Sequence, residues 1–226
     1  MATPDAVARA VERFGLETVL SPAERLAHGV LFAERRRRDW LAGRLAAKRA
    51  ARRALRELGL PVPRFAAVTV ASGSDGAPSI RIEGRPELTG TLSVSIAHDR
   101  GTGVAAVTPC ATWGVVGIDL ERDRALSYRH LRPALSPREW RRLADADAAS
   151  DPPPLAVWAM KEAVLKALRL GGAIPPCDVE LRWVNPGRAW AHVLDADTSA
   201  PPILARWRRW RGHILALARL RAPGGR

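Results

Sequence analysis

The segment WAMKEAVLKAL, residues 158–168, predicts a helix that is apolar except for three charged residues. Residues four apart share a helix face, so Trp158, Glu162 and Lys166 are predicted to lie in one line. One interpretation is an ordinary Glu–Lys pair on a solvated face, which contributes little to stability. The other is a functional site, because the flanking residues are apolar and partly buried charges often mark sites.

An earlier segment repeats this pattern. AAKRAARRALRELGLPVP begins at Ala46 and overlays on the helix so that Lys48 meets Lys161, 113 positions later. In that alignment Arg49 falls opposite Glu162, so only the second copy carries the acid. Each copy then shows a glycine stop, prolines and an apolar strand.

Both copies also begin alike. Ser-Pro-Ala-Glu at 21–24 and Ser-Pro-Arg-Glu at 136–139 are typical of a capping box with proline at the first helical position. We interpret the chain as an internal duplication with an α+β fold, in which each half is a small sheet packed on a long helix.

The two halves are predicted to span residues 1–112 and 113–226, joined through a strand in TWGVVGIDLE. Halves without a flexible linker are expected to fold as one unit, with the active site in the cleft between them. Residues 145–154 are rich in Asp, Ala and Pro and predict an exposed loop.

Composition narrows the class of protein. The chain has 226 residues, 47% of them hydrophobic, and no run of about 18 uncharged apolar residues that would predict a membrane span. Two cysteines without metal-site spacing argue against disulfides and structural zinc, and a cytoplasmic protein is expected. The net charge of +13 favours anionic partners, although the abundance of arginine is also explained by genome composition.

The strand GVVGIDLERDR, residues 114–124, ends in alternating acids. Asp119 and Glu121 are predicted to share one face of it. A solvated strand end neutralised by the following arginines would explain an isolated pair. With Glu162 they form three carboxylates without imidazole or thiolate, which favours a hard cation, most commonly Mg²⁺.

Cations for phosphate groups are also at hand. Arg44 and Lys48 lie four apart on the first helix, and Lys161 and Lys166 lie on the second. His98 ends the strand VSIAHD before a glycine turn, where a structural role and a phosphate contact both remain open.

Three blocks, SIAHD, GIDLE and WAMKEAVLKAL, stand in this order and together resemble the 4′-phosphopantetheinyl transferases, in particular the larger monomeric type that activates peptide and polyketide synthases of secondary metabolism. The resemblance covers nearly the whole chain and implies the pseudo-duplicated α+β fold of that family. It implies transfer of phosphopantetheine from coenzyme A to a serine of an acidic apo carrier protein, with release of adenosine 3′,5′-bisphosphate.

The resemblance also implies roles for single residues. Asp119, Glu121 and Glu162 would hold Mg²⁺, or Mn²⁺ in its place, on the pyrophosphate. The residues implied to bind coenzyme A are Arg36, Arg44, Lys48, His98, Lys161 and Lys166, with Arg36 expected at the 3′-phosphate and Lys166 at the phosphate under attack. Glu139 matches an acid that lies near the metal in some relatives. Either Glu162 or a metal-bound water would take the serine proton.

Two positions depart from the family pattern. Ala77 stands where family members often have a lysine, which puts one coenzyme A phosphate contact in doubt; Arg81 or Arg85 is a candidate replacement. Ala97 stands where a serine usually precedes the histidine. Neither departure affects the predicted metal ligands, so an active enzyme is expected.

Two other functions fit part of the sequence. ERRRRDW and ARWRRWRGH combine arginine with tryptophan, as nucleic-acid-binding proteins do. Trp207 and Trp210 are nevertheless predicted to cover core, because an apolar strand follows them. A Mg²⁺-dependent phosphohydrolase using the same carboxylates is the other alternative.

Overall fold

Two helices begin at the predicted capping boxes. Ser21 Oγ accepts the backbone N–H of Glu24, and the Glu24 carboxylate accepts the backbone N–H of Ser21. Ser136 and Glu139 form the same reciprocal pair. Proline follows each serine at the first helical position, where its missing N–H would have no helical partner. Both capping-box predictions are confirmed.

The computed structural model describes residues 2–144, 152–194 and 203–220, and the chain divides into two units between Gly114 and Val115. The exposed loop predicted at 145–154 lies outside the described residues except at its last three, which are buried. No helix in the described ranges is both long and apolar enough to span a membrane.

Within its described residues, the first unit contains five α-helices and four strands. The helices are α1 (Pro4–Phe14), α2 (Leu16–Val19), α3 (Pro22–Gly29), α4 (Glu34–Glu57) and α5 (Cys110–Trp113), and the strands are β1 (Val68–Ser72), β2 (Pro78–Ile82), β3 (Leu92–Asp99) and β4 (Thr102–Pro109). The strands form two antiparallel hairpins, β1–β2 and β3–β4. The long helix α4 packs against β3 and β4, as expected for a small sheet packed on a long helix.

The second unit contains two α-helices and five strands within its described residues. They are, in chain order, β5 (Val115–Arg122), α6 (Pro137–Leu143), α7 (Pro154–Leu168), β6 (Val179–Asn185), β7 (Arg188–Val193), β8 (Ile203–Trp210) and β9 (His213–Leu220). The strands make one antiparallel sheet in the order β5-β9-β8-β7-β6. Helix α7 packs on one face of this sheet. Mainly small and branched apolar side chains fill the core between the helix and the sheet.

The strands of the two units correspond in sequence. β1, β3 and β4 start at residues 68, 92 and 102, and β6, β8 and β9 start 111 residues later. The first unit differs in that its two hairpins are not joined into one sheet. In the second unit, β5 pairs along the whole of β9. In the first unit, β4 corresponds to β9, and it has only a single bridge at this edge, between Ala2 and Gly103. The α+β fold with two similar halves matches the sequence prediction.

Gly117 of β5 allows α7 to lie unusually close to the sheet. A Cβ atom at this position would lie 1.8 Å from the Ala163 carbonyl oxygen and 2.6 Å from the Ala167 backbone nitrogen. Both are helix backbone atoms, so no flexible side chain can yield. The glycine is therefore required by the distance between strand and helix.

We expect Gly117→Ala to lower the free energy of unfolding by about 3 kcal/mol or more, the upper end of the usual cost of overpacking. Gly171→Ala is the matched control, because a Cβ there would meet nothing within 4 Å. Denaturant unfolding of both variants checks the prediction. Equal stability of the two would contradict the close approach of α7 to β5.

Candidate active site

Helix α7 and strand β5 lie side by side and run in opposite directions. Trp158 contacts Glu121, and further along the helix Ala163 contacts Gly117. Four helical residues advance about 6 Å, and two strand residues advance about 6.7 Å. Because these steps nearly match, each turn of α7 faces one inward position of β5.

This match of periods explains the spacing of the two motifs. Trp158, Glu162 and Lys166 follow one face of α7 at intervals of four, while Asp119 and Glu121 follow the inward face of β5 at intervals of two. Lys166 Nζ lies 2.5 Å from Asp119 Oδ1. Helical side chains lean toward the helix N-terminus, so Lys166 reaches Asp119 over the space left by Gly117.

The two strand carboxylates have different partners. Asp119 is 5% exposed, and its Oδ1 accepts from the Lys166 ammonium. Its Oδ2 is buried and has no hydrogen-bond partner among the residues that the structure describes. Glu121 Oε1 accepts from the neutral Trp158 indole N–H at 2.9 Å. Both carboxylates therefore face α7, as predicted from the alternation of the strand.

Glu162 lies in an environment that opposes its charge. Burial raises the pKa of the Glu162 carboxyl above its ordinary value, the Asp119 charge raises it further, and Lys166 acts in the opposite direction. A second cation at this place would favour the ionised form of both acids. The helix charges that looked like a possible surface pair are thus part of a half-buried cluster.

The acids between β5 and α7 are of the type that binds a hard cation, although they are not arranged as a complete set of metal ligands. Within the described ranges, no three or more His, Cys, Asp or Glu side chains are arranged as a ready metal site. A buried carboxylate oxygen without a partner, next to an acid whose ionisation is disfavoured, is nevertheless the kind of oxygen donor set that Mg²⁺ takes. Asp119, Glu121 and Glu162 therefore remain the candidate ligands.

Lys161 has a structural role instead of the coenzyme A contact expected from the sequence. It is 0% exposed, and its ammonium lies 2.5 Å from Glu139 Oε2, 2.8 Å from the Ala134 carbonyl oxygen and 3.1 Å from that of Pro176. These three acceptors use its three protons. Burial lowers the pKa of the Lys161 ammonium, and the Glu139 charge opposes that shift.

Lys48 repeats this arrangement in the first unit. Its ammonium is also 0% exposed, lies 2.5 Å from Glu24 Oε2, and donates to the carbonyl oxygens of Val19 and Phe65, both at 2.9 Å. All three protons of the Lys48 ammonium are used by these acceptors, so the structure argues against the coenzyme A contact expected for Lys48.

Glu139 is likewise committed to the fold and not to a metal. It is 5% exposed, and besides Lys161 it accepts the backbone N–H groups of Ser136 and Leu181 at 2.8 and 2.9 Å. The carboxylate thereby ties α6, α7 and β6 together. The expectation that Glu139 lies near the metal is replaced by this role.

The remaining predicted coenzyme ligands lie in the first unit. Arg44 on α4 donates to Ser72 Oγ at 3.2 Å, and its guanidinium lies 4.5 Å from the centre of the Trp40 ring. His98 is exposed at the end of β3, which packs on α4 at Gly43. Gly43 adjoins Arg44, so the structure brings Arg44 and His98 to one region.

Arg36 is exposed on the face of α4 that carries Trp40 and Arg44, at intervals of four residues. This stripe was not predicted as a unit, although the spacing is visible in the sequence. Trp40 is not among the residues predicted for the site, although the structure stacks its ring against Arg44.

Trp207 does not offer a stacking platform. It packs against the core of the second unit, and its indole N–H donates to the Pro186 carbonyl oxygen at 2.6 Å. The prediction that both tryptophans cover core is confirmed for Trp207, whereas Trp210 is not among the residues packed on this core and its ring lies 5.2 Å from the Arg211 guanidinium. One aromatic residue on which the nucleic-acid alternative depended is therefore already in use by the fold.

Comparison with known proteins shows which family this part of the chain resembles. The sequence model of the 4′-phosphopantetheinyl transferase superfamily matches residues 115–218, most of the second unit. Two solved structures are similar over 48% of this chain. One is Helicobacter pylori holo-[acyl-carrier-protein] synthase in complex with coenzyme A, with 25% identity, a TM-score of 0.37 and 94% of that protein covered. The other is the Chronobacterium ammoniagenes ACPS–CoA complex, with 23% identity, a TM-score of 0.35 and 97% covered.

No curated protein sequence matches the chain. The assignment therefore rests on the match to residues 115–218, which include β5, α7 and the cluster between them. Through these residues the second unit of the chain is similar to the 4′-phosphopantetheinyl transferase superfamily.

Proposed function

We propose that this protein transfers the 4′-phosphopantetheinyl group of coenzyme A to a serine hydroxyl of an apo carrier protein, in a Mg²⁺-dependent reaction. The observation that carries the proposal is the cluster of Asp119, Glu162 and Lys166 between β5 and α7, inside the part of the chain that matches the superfamily. Such a cluster combines acids for a cation with a lysine for phosphate.

The reaction needs a base, a cation for the phosphates and a leaving group. The serine oxygen forms a bond to the phosphorus that carries pantetheine, the pyrophosphate P–O bond breaks, and adenosine 3′,5′-bisphosphate leaves. Glu162 is the candidate acceptor for the serine proton, because its carboxylate lies half-buried in the same cluster as Asp119 and Lys166. Lys166 is placed to neutralise the phosphate under attack.

Mg²⁺, or Mn²⁺ in its place, would be held by Asp119, Glu121 and Glu162. When bound, the cation supplies charge neutralisation at the pyrophosphate oxygens. The chain's own contribution is to hold three acids on two rigid elements and to keep Lys166 within reach of the same place. The half-buried position of Glu162 limits competition from water.

For the coenzyme we propose Arg44 and His98, which α4 and β3 bring to one region of the first unit, and Arg36 on the stripe that includes Arg44. Arginine suits phosphate groups because its planar fork donates to two oxygens at once. The larger monomeric type, the cytoplasmic location and the acidic nature of the carrier stay predictions.

Intact mass spectrometry tests the reaction directly. An apo acyl carrier protein incubated with coenzyme A, Mg²⁺ and this protein is expected to gain the mass of one phosphopantetheine. EDTA should abolish the gain, and excess Mg²⁺ or Mn²⁺ should restore it. No gain across several carrier proteins, with the protein folded, would reject the transferase assignment.

The same incubation separates the phosphohydrolase alternative. A hydrolase would release adenosine 3′,5′-bisphosphate from coenzyme A when no carrier protein is present. The transferase is expected to release it only in step with carrier modification. Measuring the nucleotide by chromatography with and without the carrier decides between the two.

A further inference from the structure

We propose that Trp158 is a positioning residue that fixes the Glu121 carboxylate for the metal through its indole N–H. The contact is the 2.9 Å hydrogen bond from Trp158 Nε1 to Glu121 Oε1, between residues 37 positions apart in sequence. The inference rests on the proposed function, because it assigns Glu121 to the metal site of that reaction.

The indole is held by the core and not by the carboxylate. Trp158 is half-buried on α7 and packs against the core cluster of the second unit. Its ring has two side-chain torsions, and the N–H group can only donate. Glu121 has more torsional freedom and lies near the end of β5, so the rigid partner in this contact is the tryptophan.

The kind of donor matters for a metal ligand. Lys166 brings a positive charge to Asp119, which any bound cation must compete with or displace. The Trp158 N–H is neutral, so this contact orients Glu121 without bringing a positive charge to it. Hydrogen bonds of this type to ligating groups commonly contribute 10- to 100-fold in metal affinity.

The duplicated helix provides an independent argument. The Lys–Glu pair that ties the helix into the fold is present in both units, as Lys48 with Glu24 and Lys161 with Glu139. Trp158 aligns with Leu45 of α4, which is 2% exposed and so fills the packing role without a hydrogen-bond donor.

Glu162 is likewise present in the second unit only, because it aligns with Arg49 in the first. The scaffold contacts are thus repeated, whereas the indole donor and the acid occur only in the second unit.

The test compares Trp158→Phe with Trp190→Phe. Phenylalanine keeps an aromatic ring at position 158 and removes the donor, while Trp190 is an exposed residue of β7 far along the sheet order from β5. Mn²⁺ titrations followed by electron paramagnetic resonance give the dissociation constant without coenzyme A or turnover. We expect about a 10-fold weaker constant for Trp158→Phe and no change for Trp190→Phe.

Kinetics provide a second reading. For Trp158→Phe, the Mg²⁺ concentration that gives half-maximal rate should rise by a similar factor, while the KM for coenzyme A at saturating Mg²⁺ stays unchanged. A purely structural role for Trp158 would instead lower kcat or stability without moving the metal requirement.

A shape-preserving variant guards against misfolding. Benzothienylalanine at position 158 replaces the indole N–H by sulfur at nearly constant shape, and it should weaken Mn²⁺ binding as Trp158→Phe does. If the original protein binds Mn²⁺ and both variants bind it within twofold, this inference is overturned and the transferase proposal stands. If the original protein binds no Mn²⁺, the metal assignment and this inference fall together.

Discussion

Replacing Glu162 with glutamine is expected to lower the rate of phosphopantetheinyl transfer by about 10²- to 10⁴-fold, the usual contribution of a general base. Glutamine keeps the size of the side chain and cannot accept the serine proton or offer a carboxylate to the cation. Glu12→Gln on the exposed face of α1 is the matched control and should retain the original rate. Carrier modification followed by intact mass spectrometry over time measures both.

The same substitution is expected to stabilise the metal-free protein at neutral pH. Burial and the Asp119 charge raise the pKa of Glu162 above its ordinary value of 4.5, so folding favours its protonated form. As the pH rises from 4.5 through the raised value, ionisation of Glu162 progressively destabilises the folded state. Glutamine has no such penalty, and the gain should disappear below about pH 4, where the acid is protonated in both states.

Denaturant unfolding in EDTA at several pH values checks this sign. Loss of activity together with a gain in stability identifies a residue that is kept for function at the expense of the fold. A variant that loses activity and is also less stable at pH 7 would place Glu162 among the structural residues and contradict its assignment as base.

The parts of the fold that were predictable are those encoded over short distances. The capping boxes at Ser21 and Ser136, the helix over 158–168 and the strand that carries Asp119 each depend on residues within one or two turns. The duplication followed from the order of such local signals. Splitting of the first unit into two hairpins was not predictable, because it depends on pairing between β2 and β3 that no local signal specifies.

The line of Trp158, Glu162 and Lys166 was predictable for the same reason. Their partners on β5 required the direction of α7 and its distance from the sheet, which Gly117 sets. The sequence showed a tryptophan at the right interval but gave no indication that its N–H would meet Glu121. That contact is a property of two elements brought together by the fold.

The lysines were misjudged because their partners lie 22 and 24 residues away in sequence. A lysine in an arginine-rich protein was interpreted as a phosphate ligand. One signal could have corrected this for Lys161: it shares its helix face with Val157, Val164 and Leu165, which are all buried. A charge on a fully apolar helical face needs a buried partner, and Glu139 was already fixed by its capping box.

Removing the Glu139 carboxylate, the partner of Lys161, is expected to have the largest effect on the free energy of unfolding. In Glu139→Gln the single amide oxygen can accept only one of the two backbone N–H groups that now donate to separate carboxylate oxygens, and Lys161 is left as a buried charge without a counter-charge. Breaking a buried pair in this way lowers the free energy of unfolding by about 3 to 5 kcal/mol. Glu57→Gln is the control, because Glu57 pairs with Arg53 on the exposed surface of α4 and its loss should barely change stability.

The double variant Glu139→Met/Lys161→Met separates charge from packing. Two apolar side chains of similar volume leave no unpaired ion, so it should be more stable than Glu139→Gln although it removes more hydrogen bonds. Glu24→Gln, measured in parallel, should cost as much in the first unit, since Lys48 is equally buried and has the same set of acceptors. A large loss in one unit and none in the other would mean that the duplicated contact, despite equal geometry, no longer has equal weight in the two units.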